Sequence, residues 1–156
     1  MKQLIIVLLI LNNFICFSQE NKIDYIKFNY NSSVVLYSEV NIAIYPNYEK
    51  DSTYTIKVET YKMTKEINIS DEKFKEILNV ILNINNREII QNFGTGLDGS
   101  TTTIEIGNGG PFLSDNYIKY EIWALYKTDS KTPFKTFLEA VKLILKESHI
   151  KIDDFN

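Results

Sequence analysis

Apolar and polar residues alternate three times over in the first third of the chain. In Ile23–Tyr30, Ile26, Phe28 and Tyr30 fall on one side, with Tyr25, Lys27 and Asn29 on the other. In Val34–Tyr45, Leu36, Val40, Ile42 and Ile44 oppose Tyr37, Glu39, Asn41 and Tyr45. In Thr53–Lys62, Tyr54, Ile56 and Val58 oppose Thr55, Lys57, Glu59 and Tyr61. A period of two with one apolar side predicts antiparallel strands covered on a single face. Polar turns at 29–33 and 49–52 join them into a meander, and Lys65–Ile69 reads as a short further strand.

The period then changes. Ser70 is a good N-cap, and Asp71 and Glu72 follow it where the helix dipole favours negative charge. Phe74, Ile77, Leu78, Ile81 and Leu82 keep helical spacing, with Ile69 placed to staple onto Phe74. Asn85-Asn86 ends this helix, and Arg87–Phe93 is ambiguous between a strand and an irregular connection. All six glycines fall between Gly94 and Gly110, around the β-prone run Ser100–Ile106, and a second run, Tyr117–Tyr126, follows. A glycine loop, a strand, a glycine turn and a partner strand make a hairpin. Thr132 as N-cap with Pro133 at the first helical position predicts a last helix. Its stripe is Phe134, Phe137, Leu138, Val141 and Leu145, and a short tail starts at His149. The expected fold is α+β: a single antiparallel sheet, N-terminal meander plus C-terminal hairpin, with two helices packed on one face.

The N-terminus reads differently. Met1-Lys2 precede an unbroken apolar run, Leu4–Leu11, and Asn12-Asn13 stop it well short of the roughly 20 residues a membrane span needs. Cys16 and Ser18 form a small-x-small site, so residues 1–18 are expected to be a signal peptide cut before Gln19. An uncleaved anchor or a lipoprotein at Cys16 is the alternative, with Ile15 a poor fit to the latter. Residues 19–156 then form a single domain, periplasmic or secreted, with no membrane span after cleavage.

Cleavage removes the only cysteine, which excludes a disulfide and a thiolate metal site. The net charge is −3, one unit lower without Lys2, and Arg87 is the only arginine, so the basic stripe that binds nucleic acid is missing. His149, the sole histidine, lies near the C-terminus, which argues against a Ser-His-Asp site or zinc. No cofactor, metal ligand or catalytic residue is assigned.

Three features compete for function. The candidate loop of Gly94, Gly96, Asp98 and Gly99 lacks the Gly-Lys-Ser/Thr ending and following helix of a phosphate loop; it reads as a tight turn, with ion binding as the alternative. Glu39, Glu59, Glu105 and Glu121 alternate outward, as solvated cross-strand partners or as the carboxylates of a small hydrolase. Tyrosine is the least ordinary: seven of the ten lie between Tyr25 and Tyr61. Tyr25, Tyr37, Tyr45 and Tyr61 alternate away from the core, and Trp123 is out of phase with Ile118, Tyr120 and Ile122. Rigid outward aromatics make a candidate binding face.

The segment ending Cys-Phe-Ser-Gln, the Ile/Asn/Lys-rich composition and Leu97–Ile106 together resemble small exported proteins of Bacteroidota. In these a strand beginning Asp-Gly-Ser/Thr precedes a Trp-bearing strand and a Leu-rich helix. The resemblance implies the hairpin-plus-helix arrangement and no particular activity. The expected function is an exported, non-enzymatic module binding a protein, peptide or glycan through the tyrosine-rich face. A carboxylate-dependent hydrolase and an envelope structural protein without a discrete ligand are the alternatives.

Overall fold

The computed structural model describes residues 23–33, 35, 38–91, 99–108, 117–123 and 134–151. Its strands are β1 (Tyr25–Ser32), β2 (Val40–Pro46), β3 (Thr53–Thr60), β4 (Thr64–Ser70), β5 (Ser100–Gly107) and β6 (Tyr117–Trp123). Its helices are α1 (Asp71–Leu82), α2 (Asn86–Gln91) and α3 (Lys135–Glu147). The strands form one antiparallel sheet in the order β4-β3-β2-β1-β5-β6. The fold is α+β, with the meander and the hairpin joined where β5 pairs with β1.

Register explains why that joint forms. Pairing β1 with β5 sets Ile26 beside Ile106 and Phe28 beside Ile104 on one face, and Lys27 beside Glu105 on the other. Apolar neighbours and opposite charges are both favourable cross-strand pairs. One row crosses the whole sheet in isoleucine: Ile67, Ile56, Ile44, Ile26, Ile106 and Ile118. Its four central members are sealed from water, each contributing roughly 1.5–3 kcal/mol of burial. Ile118, at the β6 edge, is exposed.

α1 begins as its cap predicts, with Ser70 Oγ accepting the Lys73 N–H. Phe74, Ile77 and Ile81 form its buried line, and Phe74 stacks on Tyr54 with ring centroids 3.8 Å apart. The stripe is narrower than the spacing suggested: Leu78 is half-buried and Leu82 exposed, because they sit one step around the helix from that line. α3 packs beside α1 and buries Phe137, Ala140, Val141, Ile144 and Leu145, with Leu138 only half-buried. It starts at Lys135 with Phe134 as N-cap and no side-chain cap bond; Thr132 and Pro133 lie outside the described residues. Phe134 is buried, so core anchoring places this helix start.

Two segments correct the sequence expectation. Residues 86–91 form the short helix α2, whose first turn is held by Asn85: its Oδ1 accepts the Arg87 N–H at 3.1 Å, and Ile89 reaches the core. The start of the supposed tail is built in. His149 has φ 52°, its N–H donates to Lys146 O, and the Ile150 N–H donates to Leu145 O. This paired pattern is a Schellman stop, and it carries Ile150 back into the core.

Candidate functional site

The buried stripes of α1 and α3 belong to the isoleucine core, and among the described residues no helix covers the other face of β1, β5 and β6. A groove of about 350 Å³ runs across it, at the lower end of the range of small-ligand sites, ~300–1,000 Å³. Three cross-strand rows make its floor. Lys27, Glu105 and Lys119 form one, Asn29, Thr103 and Glu121 the next, and Asn31, Thr101 and Trp123 the third. Ser33 and Gly99 close the end beyond Trp123.

The Trp123 wall is held from behind. Gly99 is needed here for close approach: a Cβ on it would stand 2.7 Å from Cε2 and 2.8 Å from Cζ2 and Nε1 of the indole. The Gly99 backbone is itself fixed. Its carbonyl accepts from both the Ser33 N–H and the Ser33 hydroxyl at 2.9 Å, and its N–H donates to Ser33 Oγ at 2.9 Å. Trp123 is therefore half-buried, with one side on glycine and another lining the groove.

Polar groups on the floor are ordered as well. Glu39 accepts from Asn41 at 3.0 Å, and Asn41 Oδ1 accepts from the Asn29 amide, fixing which way Asn29 faces. Glu121 takes a 2.7 Å ion pair from Lys119 and a long hydrogen bond from the Thr103 hydroxyl. Past the Lys27 row lies Tyr25, whose phenol is pushed up to about 12, by burial first and then by the Glu105 charge.

The sequence candidates distribute unevenly over this geometry. Trp123 and Gly99, assigned to separate features by sequence, are in contact. Tyr25 is on the same face as the groove, yet only 4% exposed, and so offers no free aromatic surface. Tyr45 is half-buried, with its hydroxyl pKa raised mainly by desolvation. It lies three strands and six residues from Trp123, roughly 14 Å across and roughly 20 Å along, too far to share one ligand contact. Tyr61 is exposed in the turn after β3 and belongs to no strand face. Tyr37, Gly94, Gly96 and Asp98 lie outside the described residues.

Among the described residues Tyr25, Tyr45 and Tyr61 thus do not form one surface with Trp123, and the groove sits on the β1, β5 and β6 half of the sheet. Its polar floor went unrecognised, although the outward phase of Thr101, Thr103, Lys119 and Glu121 was the available signal. Glu105 and Glu121 share the groove, whereas Glu39, just before β2, and Glu59, on β3, are not among its lining residues. Glu121 is part-exposed and paired with a lysine.

Among the described residues no three His, Cys, Asp or Glu side chains cluster as a metal site, and no helix is long and apolar enough to cross a membrane. Comparison with known proteins found no matching family model, no matching curated protein and no matching solved structure.

Proposed function

We propose that the chain is an exported, non-enzymatic binding module and that its ligand seat is the groove on β1, β5 and β6. The observation that carries this is the fixed tryptophan: Trp123, backed by Gly99, walls a concave polar floor. A rigid aromatic beside ordered hydrogen-bonding groups offers contact area at low entropic cost. The carboxylates act as acceptors and charge partners in this scheme, since Glu121 is held by Lys119. Export rests on Leu4–Leu11 and the small residues Cys16 and Ser18.

Two measurements test it. N-terminal sequencing of the protein recovered from the periplasm or medium should begin at Gln19; retention of residues 1–18 in a membrane-bound form refutes the leader. Residues 19–156 should capture ligand from arrayed peptides and glycans, release it unaltered, and lose capture in Trp123→Ala. Turnover of the bound molecule, abolished in Glu121→Gln, would instead favour the hydrolase.

A further inference from the structure

The chemistry of the groove narrows what it accepts. Its formal charges cancel: Lys27 and Lys119 stand with Glu105 and Glu121, and Lys119 is already engaged by Glu121. The one arginine, Arg87, belongs to α2, so the planar fork that seizes carboxylates and phosphates is not part of the floor. Among the described residues no aliphatic side chain lines the groove, and Trp123 is the single large apolar group. An apolar peptide side chain would find no pocket there. Beside those balanced charges, what the described residues offer is a surface of amides and hydroxyls around one indole.

Resting on the binding role proposed above, we infer that the groove takes a neutral oligosaccharide, with one sugar ring stacked on Trp123. The C–H face of a sugar ring is weakly electropositive and matches the negative face of an indole. A ring stacked there turns its hydroxyls outward along its own plane, toward the neighbouring strand. In the same cross-strand row stand Thr101 and Asn31, a hydroxyl and an amide that both donate and accept. Neighbouring hydroxyls on one ring need that mixture, because each is donor and acceptor at once.

The next row repeats the set roughly 7 Å along the strands, with Asn29 and Thr103. The Asn41 bond orients Asn29, and among the described residues no bond uses its Oδ1. A linked second ring meets a pre-oriented acceptor there, so little ordering entropy is lost on binding. Lys27 and Glu105 supply a further donor and acceptor beyond it.

Calorimetry on residues 19–156 tests this with three kinds of probe: linear neutral gluco-, manno- and xylo-oligosaccharides, the anionic polymers polygalacturonate and heparin, and a mixed-sequence peptide library. At least one neutral series should bind, with affinity nearly constant up to about 0.5 M salt because no charge is neutralised. Trp123→Ala should weaken it about 10-fold or more. Asn31→Ala, an exposed position that leaves the core intact, should weaken it by a smaller factor, and thermal melts of both variants check folding.

Neutral sugar binding weakened in both variants, more by Trp123→Ala than by Asn31→Ala, supports the inference. Trp123-dependent binding of the anionic polymers with steep salt dependence, or of peptides, overturns the neutral oligosaccharide and leaves the groove as a binding site. Binding that survives Trp123→Ala, or none from any probe, overturns the groove as well.

Discussion

Gly99→Ala tests the geometry of the site most directly. The added methyl would sit 2.7–2.8 Å from three indole atoms, against roughly 3.5–4.0 Å for ordinary contact, so something must retreat by about 1 Å. The Gly99 backbone is bound three ways to Ser33, whereas Trp123 stands on the edge strand β6. The indole therefore swings out. If about 50 Å² of its buried surface is lost, the cost is about 1.3 kcal/mol. Alanine returns about 0.4–1 kcal/mol by restricting the unfolded chain, since φ at Gly99 is outside the left-handed region. The two nearly cancel, so a melting curve alone is uninformative, and the emission of the single tryptophan decides. Gly99→Ala should show a red-shifted maximum and easier acrylamide quenching, with stability within about 1 kcal/mol of the parent. Unchanged emission together with a loss above about 3 kcal/mol would mean that the backbone yields and the indole does not. Unchanged emission with unchanged stability would mean that Trp123 does not rest on Gly99.

Other substitutions probe the frame. Thr102 Oγ1 is fully buried without a hydrogen-bond partner among the described residues, so Thr102→Val should raise stability by about 1 kcal/mol in urea unfolding. His149→Gly should also stabilise by about 1 kcal/mol, since glycine meets φ 52° without the Cβ penalty; a lower denaturation midpoint would contradict the Schellman stop. Ile81→Ala should cost about 2–5 kcal/mol and Leu82→Ala less than about 1, with equal losses refuting the phase of α1. Tyr25 keeps its proton up to about 12 when folded but only to 10 when unfolded, so the unfolded chain binds fewer protons between those values. Stability should be full below pH 10 and fall by about 2–3 kcal/mol as pH rises to 12, and Tyr25→Phe should flatten that part of the profile.

What the sequence determined by itself was local. A period of two assigns Ile26 and Phe28 to one face and Lys27 and Asn29 to the other, whichever strands lie beside them, because successive side chains on a strand must alternate. Ser70 followed by Asp71 and Glu72 starts a helix for equally local reasons, since the cap and the dipole act within one turn. Fold class follows from the order of such segments. Which strands become neighbours does not, because alternation is blind to sequence distance. Only the pairing of β1 with β5 set Asn31 beside Thr101, and Ser33 beside a glycine 66 residues away. That same pairing made β1 an interior strand, and Tyr25, outward by its phase, is nonetheless buried. Asn85 capped a helix where the apolar residues after it suggested none, and tertiary anchoring of Ile89 keeps it. The proposed binding face keeps Trp123 of the expected set and sets Tyr25, Tyr45 and Tyr61 aside for this reason: composition marks which residues are unusual, but a site needs neighbours, and long-range strand order supplies them.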